Sequence, residues 1–332
     1  MRIAIIGAGM AGLSCATALA AEGIEIQVFD KGRGPSGRMA TRRLETPLGE
    51  ASFDMGAQYF TVRSPPFAEA VSRWVTAGHV APWPAAGPEA WVGTPSMTAP
   101  LKFMAEGLDI AWNSFVAGMS RDETGWCLHL KDGEAAGFDA VVIALPAEQA
   151  TPFLALTDPA FFKRNLLSRT SPCWTALFAF ATPLSVSAPI FRKQGVVSWA
   201  ARNSAKPGRA DLETWVVQAD HDWSSQNLEE PAESVADTLL DHLLNLTGDP
   251  GRPALAQAAH RWRFALSTPL GLDCLWNEEI GLGVCGDWLL APRVESAWIS
   301  GAALAGRIRE DLPRICPSAG EWGRPAMALP VA

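Results

Sequence analysis

The sequence predicts an α/β protein: a parallel sheet with crossover helices, interleaved with an α+β unit on a mainly antiparallel sheet. Three observations predict it: a glycine-rich turn between strand and helix at the start of the chain, a second strand–glycine–acid–helix unit near its end, and strand-like apolar runs between them. The first strand is the apolar run Ile3-Ala4-Ile5-Ile6, continuous rather than alternating, as buried parallel strands are. Gly7-Ala8-Gly9-Met10-Ala11-Gly12 follows, and small residues carry a helix from Met10 to Ala21. Gly7 suits the tight turn, Gly9 the close approach of a pyrophosphate, and Gly12 close helix–strand packing. The helix start offers unpaired N–H groups and partial positive charge to that anion. A second strand, Ile24 to Phe29, ends in Asp30. Asp30 lies about 20 residues beyond the turn, where an acid accepts hydrogen bonds from an adenosine ribose. The expectation is a Rossmann-like unit that binds a dinucleotide.

After Asp30 a simple nicotinamide dehydrogenase would run into a plain crossover helix. Here Lys31-Gly32-Arg33-Gly34-Pro35 instead delivers Ser36-Gly37-Arg38 to a short helix, which can set Arg38 over the pyrophosphate. The second unit comes late. Gly281 to Cys285 reads as a strand, Gly286-Asp287 as the turn, and Val294 to Ile308 as a helix with Ala297, Gly301 and Ala305 on one packing face. Two helix starts ready for anions, one at each end of the chain, suit FAD. One serves the pyrophosphate, and the other faces the ribityl chain and isoalloxazine.

Composition narrows the class. The chain has 332 residues, 48% hydrophobic and 19% charged, enough for two domains. A net charge of −8 argues against nucleic-acid and anionic-membrane partners, and no apolar run is long enough to span a bilayer. The six cysteines stand singly, without a C-x-x-C pair or a histidine at metal-ligand spacing. Cys15 and Cys285 read as small buried hydrophobes. This pattern predicts a reduced, cytoplasmic protein without metal or disulfides.

The FAD-binding domain is expected over 1–75, 108–147 and 272–312, and the substrate domain over 76–107 and 148–271. An irregular tail is expected over 313–332. The substrate domain should contain strands from Trp174 to Ala181 and Glu213 to Ala219, and an amphipathic helix from Ala232 to Leu246. His260 to Phe264 alternates as a strand, on which Arg263 fits either a substrate phosphate or a partner carboxylate. Most of the fourteen tryptophans are expected in the core.

Several stretches resemble the flavin-containing amine oxidase superfamily: Gly7 to Gly12, Ser36-Gly37-Arg38-Met39-Ala40-Thr41, and Gly286-Asp287 with its helix. Within it, Phe53-Asp54-Met55-Gly56-Ala57-Gln58-Tyr59-Phe60-Thr61 is similar to the bacterial renalases. So are Val92 to Met97, His260 to Ala265, and Val294-Glu295-Ser296-Ala297 with Ser300-Gly301. The chain departs from the pattern at Asp30, where relatives often carry Glu, and at Ser36 and Ser96, where Gly is expected.

The resemblance implies a non-covalent FAD enzyme that oxidises 2-dihydro and 6-dihydro isomers of NAD(P)H to NAD(P)+. Hydride would pass to flavin N5 and the electrons to O2, giving H2O2. Such a substrate regains aromaticity on losing hydride, so no catalytic side chain is required. The cofactor-binding residues expected are Gly7, Gly9, Ala11, Gly12, Asp30, Lys31, Arg38, Asp54, Met55, Val116, Gly286, Asp287 and Val294. For Val116, an ordinary core position fits equally well. The substrate wall expected is Gly56, Ala57, Gln58, Tyr59 and Phe60, with Thr94, Pro95, Ser96 and Arg293. Two alternatives stay open: a flavin-dependent amine oxidase, disfavoured by the single tyrosine, and a non-catalytic FAD or dinucleotide-binding redox protein.

Overall fold

The computed structural model describes residues 1–315. A six-stranded sheet runs in the order Leu275–Asn277, Leu282–Val284, Ala140–Ile143, Arg2–Ile6, Glu25–Phe29, Asp109–Ala111. All neighbours are parallel except the first pair. The strand Arg2–Ile6 is central, and both of its faces are covered. Ile3 and Ile5 pack into one core with Leu13, Cys15 and Leu304, while Ala4 and Ile6 pack into another with Trp126, Phe138 and Trp288. That double burial is why the run is apolar without alternation.

The helices Met10–Ala20 and Val294–Ile315 cross in contact, because a Cβ at Gly301 would lie 2.1 Å from the Ala11 carbonyl oxygen. The last helix runs past Ile308, where it was expected to stop. Arg309 and Glu310 are good helix formers, and no breaker follows Ile308 until Pro313. The helix takes in the start of the stretch expected to be an irregular tail, and the rest of that stretch (316–332) lies outside the described residues. The strand Val116–Asp122 belongs to a separate three-stranded antiparallel sheet.

A five-stranded antiparallel sheet takes the order Ile190–Gln194, Val197–Arg202, Glu213–Ala219, Thr170–Phe180, Ala256–Ser267. On one face Trp174, Phe178 and Trp215 pack beneath Val235, Leu239 and Leu243 of the helix Ala232–Thr247. This helix stops at Gly248, whose φ of +77° suits a left-handed cap. On the other face Leu177, Ala179 and Val216 meet Ala51 and Phe53 of the hairpin Thr41–Thr46/Gly49–Asp54. Trp126, Trp174, Trp215 and Trp288 are fully buried, whereas Trp199 and Trp262 are half-buried. Val80, Trp83, Val92, Met97 and Leu101 share the core that contains Ile3 and Ile5. Among the described residues, no helix is long and apolar enough to cross a membrane.

Candidate active site

The glycine turn divides its work among its three glycines. A Cβ at Gly12 would lie 1.9 Å from the Gly7 carbonyl oxygen, and one at Gly7 would lie 2.7 Å from that of Ala144. Gly7 also sits at φ +110°, where L side chains are strained. Gly9 is different: a Cβ there would meet nothing within 4 Å. Its φ of −83° and ψ of −176° are open to any residue, and no side chain caps the helix that starts at Met10. Space beside an uncapped helix start is what a phosphate group requires. Gly37, at φ +49°, closes in from the other side, where a Cβ would lie 3.4 Å from Gly9 Cα.

Asp30 follows its strand as expected and holds this turn. Its Oδ2 accepts from the Ala8 N–H at 2.7 Å and its Oδ1 from the Gly32 N–H at 2.6 Å. Each carboxylate oxygen keeps a further lone pair for a hydroxyl. Lys31 is exposed, with Nζ 3.5 Å from Gln149 Oε1. Ala11 is buried in the first helical turn, and Val116 is buried where its strand opens.

The second half of the candidate cofactor site meets the first through an ion pair. Arg38 Nη2 bonds to Asp287 Oδ1, and Arg38 Nη1 donates to the Ala265 carbonyl at 3.3 Å. Burial raises the Asp287 carboxyl, against the opposing pull of Arg38. The Gly286 N–H donates to Ser300 Oγ at 2.9 Å, and that hydroxyl donates to Asp273 O at 2.6 Å, so the last helix fixes the turn. Val294 is half-buried at the start of that helix and Arg293 is exposed beside it.

Beside these loops lies a cluster that sequence reasoning missed. Asp54 Oδ2 accepts from Lys206 Nζ at 3.1 Å and from Arg209 Nε and Nη2 at 3.2 and 2.5 Å. Its Oδ1 accepts from the Met97 N–H at 2.9 Å and from Thr41 Oγ1 at 3.0 Å. The three charged side chains are 1%, 0% and 3% exposed for Asp54, Lys206 and Arg209. Burial alone would raise the Asp54 carboxyl, but Lys206, Arg209 and the Met97 amide pull it down to about 2. Burial lowers Lys206 to about 8, with Asp54 resisting and Arg209 assisting.

Lys206 also donates to Gln58 Oε1 at 3.1 Å, and Arg209 donates to the Gly93 carbonyl at 2.5 Å. The cluster therefore ties Asp54–Gln58 to Gly93–Met97, the two segments expected to bound the substrate. The only sequence signal was Lys206-Pro207-Gly208-Arg209 between two strands, which reads as an exposed turn.

The remaining wall comes from the five-stranded sheet. Register places Trp199, Gln218, Thr175 and His260 side by side across it. Adjacent cross-strand partners point to one face, and this face meets the Met55–Tyr59 loop. Gln218 Nε2 donates to Gly56 O at 2.8 Å, and Trp262 Nε1 donates to Met55 O at 3.0 Å. The Tyr59 and Trp199 rings lie 5.4 Å apart, tilted by 33°. Ala57 is fixed by an N–H bond to the Arg38 carbonyl at 2.8 Å, so wall and cofactor loops are contiguous.

Gln58 turns its amide inward, donating to the Asp54 and Gly56 carbonyls at 2.6 and 3.1 Å. Phe60 is buried and pairs with Trp91. Thr94 Oγ1 donates to Gly78 O at 2.9 Å, the Thr94–Pro95 bond is cis, and Ser96 Oγ lies 2.8 Å from Thr98 Oγ1. His260 packs edge-on to Trp262 at 4.4 Å, and burial, then Arg42, lowers its ring below the ordinary histidine value. Arg263 pairs with a carboxylate: both Nη atoms donate to Glu229, at 2.7 and 2.9 Å.

Residues 5–74 match the NAD(P)-binding Rossmann-like domain, and residues 85–268 match the Flavin containing amine oxidoreductase family. The fold is similar to that of a provisionally named protoporphyrinogen oxidase of Exiguobacterium sp., at TM-score 0.75 and 10% identity over 93% of this chain and 99% of that one. Cyclohexylamine oxidase of Brevibacterium oxydans is similar at TM-score 0.69 and 13% identity, over 94% and 99% of the two chains. A putrescine oxidase variant gives TM-score 0.69 and 14% identity, over 93% and 98%.

Proposed function

This chain belongs to the Flavin containing amine oxidoreductase family, and we propose that within it the protein is an oxidase of 2-dihydro and 6-dihydro isomers of NAD(P)H. The family implies a flavin, and the open cradle at Gly9, the Asp30 carboxylate and the Arg38–Asp287 pair fit FAD held without a covalent bond. Bound there, FAD supplies a two-electron acceptor whose electrons pass on to O2 as H2O2. In this reading Gly7, Gly9, Ala11, Gly12 and Lys31 serve the pyrophosphate side, and Val116 the adenine side. Met55, Gly286 and Val294 serve the flavin end. Asp54 acts indirectly, since Lys206 and Arg209 already claim its Oδ2, the Met97 N–H and Thr41 hydroxyl claim its Oδ1, and it holds the loop in place.

The observation that carries the substrate reading is the charge and shape of the wall. Tyr59 and Trp199 offer aromatic faces to a flat ring, and Gln218 and Thr175 line the sheet beside them. Asp54, the buried carboxylate linked to Gln58 of the wall through Lys206, is outnumbered by two cations, so it has no charge left for a substrate ammonium. This favours a planar neutral ring on an anionic dinucleotide over a primary amine. No general base is required: the wall's task is to orient the ring and exclude water.

The test is an anaerobic titration of the purified yellow protein with 2-, 4- and 6-dihydro isomers and with primary amines, following flavin absorbance. Bleaching by the 2- and 6-dihydro forms is expected, and bleaching by amines alone would replace this reading with an amine oxidase. Tyr59→Ala should slow flavin reduction at least about tenfold while FAD affinity holds; equal stopped-flow rates would place Tyr59 outside the wall. Asp30→Ala removes charge-assisted hydrogen bonds worth about 1.5–3 kcal/mol each. It should lose FAD on dialysis, and full retention would count against the ribose role.

A further inference from the structure

The three-stranded sheet Val116–Asp122, Gly125–Leu130, Gly133–Phe138 has a second chemistry on its outer face. Trp126 and Leu128 point into the core, so alternation sends Cys127 and His129 to the opposite side. Register sets Glu134 directly across from His129 on one neighbouring strand, and Ser120 across from Cys127 on the other. His129 Nδ1 lies 2.9 Å from Glu134 Oε1, and Cys127 Sγ lies 3.7 Å from Glu134 Oε2. The three donor atoms all lie within 4.8 Å of one another.

We propose that Cys127, His129 and Glu134 form a binding site for one borderline divalent cation, Zn2+, with a solvent-facing fourth position. Two ligands two residues apart on a strand, plus a third across the hairpin, place three donors at the corners of one tetrahedral face. The sulfur–nitrogen–oxygen set selects zinc over magnesium or calcium, which demand oxygen cages. In the metal-free protein the imidazole and the thiol each hydrogen-bond the Glu134 carboxylate, and these contacts already bring the three donors together on one face.

Two surrounding features suit the assignment. Ser120 Oγ lies 2.9 Å from His129 Nε2 and fixes the ring so that Nδ1 faces the other donors, as oxygen partners of metal-bound histidines do. The residues opposite His129 and Cys127 on the flanking strands, Gly118 and Ala136, are small and leave the outer face open to water. The site departs from the expectation of a chain without metal and with no histidine at metal-ligand spacing, since Cys127 and His129 stand two residues apart on one strand and Glu134 arrives across a turn.

The test is equilibrium dialysis of the flavin-loaded protein against ZnCl2 with metal analysis, alongside mapping of Cys127 alkylation by iodoacetamide. One zinc per chain should be retained with a dissociation constant below about 10 µM, with Cys127 protected from alkylation. Cys127→Ser and Glu134→Gln should each weaken binding at least about tenfold, and Ser120→Ala by about tenfold through the histidine. Unchanged affinity in both ligand variants, or no saturable binding below about 100 µM in the wild type, would overturn the proposal.

Discussion

Asp54→Asn is expected to destabilise the protein by about 3–5 kcal/mol, whereas Lys206→Met should shift stability by only about 1–2 kcal/mol, because one change leaves buried charge unpaired and the other does not. Among the described residues Asp54 is the one anion hydrogen-bonded to both cations, so its loss strands Lys206 and Arg209 together in the interior. Removing Lys206 leaves the Asp54–Arg209 pair, with hydrogen bonds of 3.2 and 2.5 Å, charge-balanced. Urea unfolding of the two variants gives the comparison directly, and equal destabilisation would mean the cluster is not organised around its acid.

The same cluster sets a pH dependence whose sign follows from linkage. Burial lowers Lys206 from 10.5 to about 8, so between those values the unfolded chain binds more protons than the native one. Stability therefore rises with pH from about 8 to 10.5, by about 3 kcal/mol for this group, and that gain is lost as pH falls through 8. Asp54 acts at the other end: its stabilisation is present above 3.8 and lost as pH falls toward 2. Because other groups titrate in the alkaline window, the measurement is the difference between wild type and Lys206→Met, which should change across pH 8–10.5. A difference flat in pH would show that Lys206 ionises in the folded protein as it does in water.

The cofactor half of the candidate site was largely legible in the chain because its geometry is local. Gly7, Gly9 and Gly12 sit within one turn, and Asp30 stands at the end of the adjoining strand, so spacing marked this turn, whereas the Arg38–Asp287 pair spans 249 positions and carried no such signal. The substrate half resisted because its contacts are long-range. Lys206 and Arg209 reach an acid 152 and 155 positions away, and nothing in a Lys-Pro-Gly-Arg turn marks it as buried. Trp199, Gln218, Thr175 and His260 come from four strands, and only register puts them in one row. Arg263 was open between two partners because Glu229 lies outside any local pattern. Distance along the chain separates what could be read from what could not.

Gly9→Ala and Gly12→Ala separate ligand chemistry from packing within a single turn. At Gly12 the added methyl would sit 1.9 Å from the Gly7 carbonyl oxygen, so helix and strand must move apart. The expected outcome is loss of several kcal/mol of stability, because displaced backbone cannot yield as a flexible side chain does. At Gly9 the methyl meets nothing within 4 Å and the backbone angles already suit alanine. Thermal stability of the flavin-free protein should stay within about 0.5 kcal/mol of wild type, or rise slightly as the unfolded chain loses freedom. Yet the methyl would occupy the space beside the helix start where a pyrophosphate must approach the backbone. FAD affinity should therefore fall by at least about a hundredfold, an effect of roughly 2.7 kcal/mol, while the fold persists. Flavin fluorescence titration of refolded, flavin-stripped protein measures the first quantity and circular dichroism melting the second. If Gly9→Ala bound FAD as tightly as wild type, the open space at Gly9 would not be the phosphate cradle. If it instead melted as early as Gly12→Ala, the turn would be under a packing constraint that its geometry does not contain.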